Sequence, residues 1–265
     1  MGGSSHGVKA KKHLGQHFLN DLPTAQRIAD SIKGEAFAGR ILEIGPGTGV
    51  LTQFLVPRFG SRLLAMDVDT ESITFLQGAP WIAQTQIVEA DFLKFPFSQL
   101  PGNGELIITG NFPYNISSQI LFKLLDWRET VIELTGMFQK EVAERVCAAH
   151  GSKTYGILSV LIQHYYHAEY LFTVPPHVFI PPPKVQSGVL RLTRKADLPT
   201  DVDFSHLKHV TKSAFNQRRK TLRNALKSGG YDVTLLPEAL LGLRAEQLSP
   251  DQFVGLALAL GGRSV

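Results

Sequence analysis

The segment RILEIGPGTGVLT, residues 40–52, decides the fold of this chain. Ile41, Leu42 and Ile44 form a short apolar run typical of a buried strand, and a glycine-rich loop, residues 45–49, ends that run at once. Apolar residues return after the loop at helical spacing. Strand, glycine loop and helix in this order are typical of α/β folds that bind nucleotide-like cofactors at the carboxyl ends of their strands. The segment therefore predicts an α/β sheet with a ligand site at this loop.

Two details narrow the class of cofactor. The loop reads G-x-G-x-G, with Val50 at the position where a dinucleotide fingerprint needs its third glycine. Residues 62–69, RLLAMDVD, predict a second strand, and Asp67 lies at the spacing where a carboxylate accepts hydrogen bonds from two ribose hydroxyls. An adenosine cofactor without a pyrophosphate fits both details. A tight turn followed by a surface aspartate is the alternative on these two features alone.

The composition limits the class of protein. A chain of 265 residues with 43% hydrophobic residues can form one large α/β domain, or a main domain with a small second one. The single cysteine, Cys147, excludes a disulfide framework and a multi-cysteine metal site, and it favours a reducing, cytoplasmic compartment. The sequence shows neither a long apolar run nor a signal peptide, so we expect a soluble protein without a membrane partner. The first seven residues, MGGSSHG, resemble the remnant of an expression tag.

The formal net charge of +4 is unevenly distributed. Residues 1–20 and 204–231 contain ten of the 27 basic residues and none of the 23 acidic ones, so the rest of the chain is net acidic. Two basic segments predict a polyanionic partner that is held there, whereas an ordinary solvated helix face is the alternative on charge alone. The basic residues of the second segment are Lys208, Lys212, Arg218, Arg219, Lys220, Arg223 and Lys227.

The helical period of this second segment allows two arrangements. One unbroken helix would place Lys208, Lys212, Arg219 and Arg223 on one face, with small and apolar residues opposite. A break at Asn216 would instead direct Arg218, Arg219 and Lys220 separately. Both arrangements keep the basic character of the segment.

Two further strands end in candidate site residues. Residues 86–89 predict a third strand, and Asp91 follows it at the edge where open α/β sheets bind ligands, so Asp91 is a candidate acceptor for an adenine amino group. The alternative is that Asp91 is an ordinary turn former. Residues 105–109 predict a fourth strand, which runs into the tetrapeptide NFPY, residues 111–114.

The NFPY tetrapeptide carries the most specific chemistry. The exocyclic amine of adenine is a poor nucleophile because its lone pair is delocalised into the ring. The Asn111 amide oxygen and the Phe112 carbonyl, aimed at the two N–H bonds, would favour the localised, pyramidal amine. Pro113 fixes the backbone, and Tyr114 offers a ring face on which an extruded base can stack. A plain Asn/Pro turn is the alternative.

The rest of the chain completes an α/β pattern. Strands are predicted at 130–138, 165–174 and 188–193, and helices at 21–33, 70–76, 139–149 and 155–163. The proline-rich residues 175–184 cannot form a strand ladder. Phe179 within them is either a contact with the core or a second stacking surface for a base.

These residues also carry a resemblance to a known family. The motifs are GQHFLND, EIGPGTGVLT, NFPYNIS, FIPPPKVQSGVLRL, AFNQRRKTLRNAL and RAEQLS, in this order. From about Lys11 to its end the chain resembles the bacterial 16S ribosomal RNA adenine dimethyltransferase family (RsmA/KsgA). The resemblance implies a class I S-adenosylmethionine-dependent methyltransferase domain, Rossmann-like with a mostly parallel seven-stranded sheet, and a small C-terminal all-helical domain. It implies N6,N6-dimethylation of two adjacent adenosines in the 3′-terminal hairpin loop of 16S RNA during small-subunit biogenesis.

The resemblance also assigns residues. The implied cofactor contacts are His17, Leu19, Gly45, Gly47, Asp67, Asp91 and Asn111, with S-adenosylmethionine as the cofactor and no metal. Asn111, Tyr114 and Phe179 would handle the target base. The implied RNA contacts are Lys208, Lys212, Arg218, Arg219, Lys220 and Arg223. Three positions depart from the commonest pattern: His17 is often Asn, Thr48 varies, and Phe112 replaces Leu, which affects the shape of the pocket but leaves the carbonyl in place.

The resemblance divides the chain and names its partner. We expect a flexible basic segment, 1–20, that closes over the cofactor, a methyltransferase domain, 21–195, and a helical RNA-binding domain, 196–265. The expected partner of a monomeric protein is 16S RNA or the immature 30S subunit.

Two rival functions remain. The 23S RNA methyltransferases that confer macrolide resistance share the cofactor loop and an Asn-x-Pro-Tyr motif, but AFNQRRKTLRNAL and the triple proline, residues 181–183, favour the 16S family. A non-catalytic RNA-binding assembly or transcription factor is the second rival. Intact Asp67, Asp91, Asn111 and Tyr114 argue against lost catalysis.

Overall fold

The computed structural model of the chain describes residues 8–33, 37–82, 85–100, 104–196 and 202–261. The suspected tag remnant, residues 1–7, lies outside these ranges. The strands are β1 (Phe18–Leu19), β2 (Arg40–Ile44), β3 (Leu63–Asp67), β4 (Gln86–Glu89), β5 (Leu106–Asn111), β6 (Val131–Gln139), β7 (Tyr166–Val174), β8 (Phe179–Ile180) and β9 (Ser187–Arg194). The helices are α1 (Leu22–Asp30), α2 (Thr52–Phe59), α3 (Thr70–Gln77), α4 (Ser117–Asp126), α5 (Lys140–Cys147), α6 (Ile157–Tyr165), α7 (Phe204–Asn216), α8 (Leu222–Ser228), α9 (Glu238–Leu241) and α10 (Pro250–Leu260).

A seven-stranded sheet forms the centre of the fold. Its strand order is β4-β3-β2-β5-β6-β9-β7. The pairs from β4 to β6 are parallel, and β9 joins β6 antiparallel. The inner strands β2, β3 and β5 are almost wholly buried, as expected of parallel strands whose two faces are both covered. The predicted mostly parallel seven-stranded sheet is confirmed.

The strand order places a ligand site at one edge of this sheet. The chain goes from β2 outward to β3 and β4, and then returns to the other side of β2 as β5. Such a reversal is a topological switch point, and open α/β sheets bind ligands beside it at the carboxyl ends of the strands. The two backbones lie close together here, because a Cβ on Gly110 of β5 would be 2.4 Å from the Ile44 carbonyl oxygen of β2. The glycine loop and the NFPY tetrapeptide therefore follow adjacent strands.

Local signals explain the ends of several helices. The Asp21 side chain caps α1 by accepting a hydrogen bond from the Thr24 N–H, and Pro23 lies in the first turn. Asp69 caps α3 in the same way, through the Glu71 N–H. Helix α1 packs against α2 and β6, and its buried residues Ala25, Ile28 and Ala29 belong to the core.

The N-terminal strap, residues 8–20, is held to the rest of its unit by a two-stranded sheet. Strand β1 pairs antiparallel with β8, so that Leu19 lies opposite Phe179. The Asn20 N–H extends this pairing by donating to the Val178 carbonyl at 2.8 Å. Backbone pairing therefore joins the strap to β8 within this unit, and the flexibility of the segment stays a prediction.

The chain divides into two compact units. The first contains the residues up to Ala143 together with Glu169–Arg194, and the second contains Glu144–Ala168 together with Lys195–Val265. The change of unit after Arg194 lies one residue before the predicted boundary between 195 and 196, and the predicted domain roles stay predictions. The predicted continuous domain, 21–195, differs from this division because Glu144–Ala168 belongs to the second unit, where α6 packs against α7 and α10.

The second unit is a small helical bundle. Its centre contains the rings of Phe215 on α7 and Phe253 on α10, stacked with centroids 5.7 Å apart. Helix α7 ends at Asn216, and α8 begins only at Leu222. The single unbroken helix considered for the basic segment is therefore wrong, and the break at Asn216 is confirmed. Among the described residues, no helix is long and apolar enough to cross a membrane.

Candidate active site

One cavity of about 200 Å³ lies at the carboxyl ends of β2, β3 and β5, below the N-terminal strap. Seven of the residues predicted from the sequence line it: His17, Gly45, Gly47, Asp67, Asp91, Asn111 and Tyr114. They come from segments far apart in the chain and meet because parallel strands end at the same edge of a sheet. The structure therefore brings seven of the nine predicted cofactor and base contacts together, and Leu19 and Phe179 do not line this cavity.

The glycine loop forms one wall of the cavity. Gly45 and Gly47 have φ values of 67° and 54°, a conformation that side chains other than glycine rarely adopt. A Cβ on Gly47 would also come within 2.8 Å of the Phe18 ring. Both constraints keep this wall free of side chains, so that a flat ligand can contact the backbone.

Asp67 is fixed at the end of β3. Its two carboxylate oxygens accept hydrogen bonds from the N–H groups of Gly47, at 3.2 Å, and Asp69, at 3.0 Å. Burial raises the pKa of Asp67, and these two backbone donors oppose that rise. The carboxylate is thus oriented beside the glycine loop, where it can accept further hydrogen bonds from two ribose hydroxyls.

Asp69 fastens the strap to this part of the cavity. Its carboxylate accepts hydrogen bonds from Lys11 Nζ at 2.5 Å and from Gln16 Nε2 at 3.1 Å. These strap donors and other hydrogen bonds lower the pKa of Asp69, although burial opposes them. Lys11 also lies 3.2 Å from the Glu71 carboxylate. Sequence reasoning missed this set because Asp69 lies more than 50 residues from Lys11 and Gln16 along the chain.

Asp91 belongs to a loop that is tied to α4. The Asp91 carboxylate accepts a hydrogen bond from the Leu93 N–H at 2.9 Å, in the manner of a turn former. Lys123 on α4 donates to the carbonyls of Leu93, at 2.8 Å, and Phe95, at 2.7 Å, and burial lowers its pKa. Asp91 lines the cavity as well, and its contact with an adenine amino group stays a prediction.

Asn111 is oriented by the strap. Its amide nitrogen donates to the main-chain carbonyl of His17 at 2.9 Å. The oxygen of the same amide is the atom that can accept an N–H bond from a substrate amine. Next to it, the Phe112 N–H donates to the Met137 carbonyl at 3.0 Å, and the buried Phe112 ring packs on Phe138 with centroids 4.5 Å apart. The backbone of the tetrapeptide is therefore fixed by β6.

Tyr114 has both an anchored hydroxyl and a packed ring. The hydroxyl forms a hydrogen bond with Ser187 Oγ, and Ser187 is fully buried at the start of β9. Burial raises the pKa of Tyr114, so the phenol stays protonated near neutral pH. The His17 ring lies against the Tyr114 ring with centroids 5.3 Å apart and planes inclined by 32°. Sequence reasoning did not find Ser187.

Glu43 on β2 is a buried carboxyl group that sequence reasoning also missed. It is 1% exposed, and burial raises its pKa to about 8. Its Oε2 atom has no hydrogen-bond partner among the described residues. Glu43 lines a second, smaller cavity together with Leu19, Gly45 and Asn111. A buried carboxyl oxygen without a partner beside the glycine loop is an atom that a bound ligand could satisfy.

Phe179 and Leu19 pack in the core. Phe179 is 2% exposed on β8, and both residues belong to the same buried apolar cluster. Of the two roles considered for Phe179, the structure favours the contact with the core. Stacking of Phe179 on a base stays a prediction.

The predicted RNA contacts lie on the second unit, in different settings. Arg218 donates to the carbonyls of Lys153 and Tyr155, and Arg223 pairs with Glu238. Arg219 and Lys220 are exposed in the turn between α7 and α8. Lys208 and Lys212 lie on α7 itself. The common stripe that a single helix would have formed is therefore absent from the described segment, because the turn separates its two halves.

The donor set suits an adenosine cofactor better than a metal. Within the described ranges, no group of three or more His, Cys, Asp or Glu side chains could hold a metal ion. The cavity instead combines a glycine wall without side chains with the carboxylates of Asp67 and Asp91. Glu43 lines the smaller cavity that shares Gly45 and Asn111 with it.

Comparisons with known proteins agree with this geometry. A model of the family described as Ribosomal RNA adenine dimethylase matches residues 7–257. Two curated relatives are named Ribosomal RNA small subunit methyltransferase A. The protein from Cytophaga hutchinsonii is 50% identical over 97% of this chain and 99% of its own length. The protein from Porphyromonas gingivalis is 52% identical over 96% of this chain and 98% of its own length.

Two solved structures share the fold. A dimethyladenosine transferase from Plasmodium falciparum superposes with a TM-score of 0.75 and 26% identity, over 91% of this chain and 96% of that one. The 23S rRNA methyltransferase ErmE gives a TM-score of 0.69 with 24% identity, over 92% and 99%. The second likeness is one of fold alone. The family model matches nearly the whole length of this chain, and the curated relatives are about 50% identical to it. The chain therefore belongs to the ribosomal RNA adenine dimethylase family.

Proposed function

We propose that this chain transfers methyl groups from S-adenosylmethionine to N6 of two adjacent adenosines in the 3′-terminal hairpin loop of 16S ribosomal RNA. The observation that carries the proposal is the position of Asn111 and Tyr114, which line the same cavity as Gly47 and Asp67. The relatives that are about 50% identical to this chain are named as small-subunit methyltransferases, and this supports 16S rather than 23S RNA as the substrate.

The cofactor would be held by the glycine wall and three carboxyl groups. Asp67 would accept the ribose hydroxyls, Asp91 would accept the adenine amino group, and Glu43 would face the cationic methionine end. When bound, S-adenosylmethionine supplies a methyl group on a positively charged sulfur. The strap lines this side of the cavity, and hydrogen bonds from Lys11 and Gln16 to the Asp69 carboxylate hold it there.

Asn111 and Phe112 would prepare the target amine. The Asn111 amide is already oriented, because its nitrogen donates to the His17 carbonyl, and this leaves its oxygen to accept one N–H of the adenine amine. The Phe112 carbonyl would accept the other. These two acceptors favour the pyramidal amine, whose lone pair can attack. The methylated amine is acidic enough to lose its proton to water, so the chain needs no general base.

Tyr114 would hold the extruded base by its ring. Because burial raises the pKa of Tyr114 and Ser187 occupies its hydroxyl, this side chain offers a face and not a base. Stacking of a nucleobase on an aromatic ring is worth about 1–3 kcal/mol.

The basic residues of the second unit would bind RNA phosphates and confer affinity, not the choice of base. The substrate would be 16S RNA within an immature 30S subunit, and the protein would act as a cytoplasmic monomer.

The function is tested by methyl transfer. The purified chain is incubated with methyl-labelled S-adenosylmethionine and either free 16S RNA or 30S subunits from cells that lack the modification. We expect label at N6 of two adjacent adenosines in the 3′-terminal hairpin loop. Cofactor binding without transfer to either substrate would favour the non-catalytic alternative, and label in 23S RNA would favour the other rival.

The Asn111→Ala variant tests the central role. We expect methyl transfer to fall to background while the dissociation constant for S-adenosylmethionine changes by less than about tenfold, because Asn111 acts mainly in the transition state. Titration calorimetry and single-turnover rates measure the two quantities. A loss of cofactor affinity by several hundredfold with normal turnover at saturation would contradict this role.

A further inference from the structure

His17 makes three contacts at the active-site cavity. Its main-chain carbonyl accepts the hydrogen bond from the Asn111 amide at 2.9 Å. Its ring packs on the Tyr114 ring with centroids 5.3 Å apart. Its Nδ1 atom lies 2.8 Å from the carbonyl oxygen of Pro181, just after β8. A cofactor contact alone does not account for these contacts, because they reach the two residues proposed to handle the target base.

The ring contact has a geometry that constrains Tyr114. The two ring planes are tilted by 32° with centroids 5.3 Å apart, a separation within the range that aromatic pairs prefer. The Tyr114 hydroxyl is already fixed at its other end by the buried Ser187. The Tyr114 side chain is therefore held at its hydroxyl by Ser187 and at its ring by His17.

The bond to Pro181 fixes His17 in turn. Strand pairing between β1 and β8 aligns the strap beside this segment, since Phe18 lies opposite Ile180. The His17 imidazole then joins the carbonyl of the next residue, Pro181. The ring is thus held by a neighbour on one side and by Tyr114 on the other.

We infer that His17 is a positioning residue of the target-base subsite, whose ring backs the Tyr114 ring so that an adenine stacks on the opposite face. The ligand class of this subsite is a single purine base extruded from RNA. The inference rests on the proposed function, and it assigns to His17 a role on the side of the base in addition to the cofactor contact that the sequence resemblance implies.

Two substitutions separate the ring from the hydrogen bond. His17→Gln keeps a side chain that can hydrogen-bond but has no ring, whereas His17→Phe keeps a ring without the nitrogen. Both leave the main-chain carbonyl that orients Asn111. We expect kcat/KM for the RNA substrate to fall about five- to tenfold in His17→Gln, the size of an aromatic pair interaction, and His17→Phe to recover at least half of the wild-type value.

A direct readout of the base distinguishes this role from a structural one. A 16S hairpin with 2-aminopurine at the target position reports stacking by the quenching of its fluorescence. We expect binding-dependent quenching with the wild type and His17→Phe, and weaker quenching with His17→Gln, at equal saturation with RNA. The dissociation constant for S-adenosylmethionine should stay within about threefold in all three proteins. The exposed strap residue His13 provides the matched control, and His13→Ala should leave quenching unchanged.

The outcomes distinguish a failure of the proposed function from a failure of the role assigned to His17. If the wild type does not methylate the RNA, the proposed function fails. If the wild type is active but His17→Gln matches it in rate and in quenching, the base-side role of His17 is refuted. A loss of cofactor affinity by the same factor as the loss of rate would also refute it, because it would reduce His17 to a cofactor contact. Thermal unfolding of each variant shows whether it is folded.

Discussion

Glu43, a buried carboxyl group with one oxygen that lacks a hydrogen-bond partner among the described residues, makes the stability of the free protein depend on pH. Glu43 is 1% exposed, and burial raises its pKa from 4.5 to about 8. Between these two values the unfolded chain has lost the proton while the native state keeps it. The native state therefore binds more protons, and the free energy of unfolding falls as the pH rises from about 4.5 to 8.

The Glu43→Gln substitution removes this dependence. We expect the variant to gain stability relative to the wild type as the pH rises from 5 to 8, by an amount on the order of a few kcal/mol without cofactor. Urea unfolding at a series of pH values measures it. Glu129→Gln, whose side chain is 81% exposed, is the control and should follow the wild type. Parallel pH profiles for Glu43→Gln and the wild type would show that the carboxyl group ionises normally.

Variants of Tyr114 and Ser187 distinguish the role of the Tyr114 ring from the role of its hydroxyl. We expect Tyr114→Ala to lose about 1–3 kcal/mol of base binding in the transition state, because it removes the stacking face. Tyr114→Phe keeps the face and loses only the bond to Ser187, so its loss should be smaller and close to that of Ser187→Ala. Steady-state kcat and KM with unmethylated 30S subunits measure these losses. If Tyr114→Phe is as damaging as Tyr114→Ala while Ser187→Ala is mild, the hydroxyl takes part in the reaction itself.

The residues that sequence could predict are those that follow strands. Asp67, Asp91 and Asn111 each follow or end a strand of a parallel sheet, so their common edge follows from topology. The partners that orient them could not be predicted in this way. Ser187 lies 73 residues from Tyr114, and Lys11 lies 58 residues from Asp69. Such pairs depend on how the strap and β9 pack, for which local patterns carry no signal.

At the scale of elements, α4 and the loop after β4 form a connected support for Asp91. Lys123 on α4 donates to the carbonyls of Leu93 and Phe95, and its Nζ lies 5.3 Å and 5.0 Å from the ring centroids of Phe92 and Trp127. The helix thus holds the loop through its backbone. The ammonium group is partly desolvated there, which lowers its pKa.

We expect Lys123→Met to weaken the binding of S-adenosylmethionine by about tenfold, because each loop carbonyl loses a charged donor worth about 1 kcal/mol or more. Lys94→Met is the matched control: Lys94 is 86% exposed and faces the Asp91 carboxylate at 3.5 Å without tying the loop carbonyls. Calorimetric titration at constant ionic strength compares the two. Equal effects of the two variants would attribute the loss to charge near Asp91, and not to support of the loop.

The elements themselves were largely predictable. The predicted strands lie within two residues of β2 to β7 and of β9. For β2, β3 and β5 the reason is that parallel strands with two buried faces give continuous apolar runs. Helix α4 was not predicted. Its segment SSQILFKLLD begins two residues after the NFPY tetrapeptide, without a side-chain cap to mark where the helix begins. The short strands β1 and β8 pair across 160 residues of chain, and two residues are too few for any periodicity.

At the scale of the whole molecule, the sequence predicted two units but not how the chain is shared between them. Residues 144–168 belong to the helical unit because α6 packs against α7 and α10. The chain then returns to the sheet as β7, without a proline- or glycine-rich linker at that point. Composition marks a boundary only where a linker is exposed, so this exchange left no signal in the sequence.

The helical unit also contains the residues that would bind RNA. Ion pairs within this unit predict which of these residues contribute most to RNA affinity. Arg219 is exposed in the turn between α7 and α8, whereas Arg223 pairs with Glu238. A phosphate that binds Arg223 must compete with Glu238, while one that binds Arg219 need not. Of the two arrangements considered from the sequence, the single helix would have made these two arginines equivalent members of one face, and the turn after Asn216 separates them.

The salt dependence of RNA binding tests this ranking. We expect Arg219→Ala to lower the slope of log affinity against log salt concentration by about one unit, Arg223→Ala by less, and the double variant by up to about two units. Glu238→Gln should act in the opposite direction, with higher affinity and a steeper slope, because it frees the Arg223 guanidinium. Lys33→Ala, a surface lysine of the first unit, is the control. Affinity for unmethylated 30S subunits over a salt series gives the slopes, and mapping of the methylated adenosines should show the same two positions in every variant. An unchanged slope in Arg219→Ala, or methyl groups on other adenosines, would contradict a role in holding phosphates.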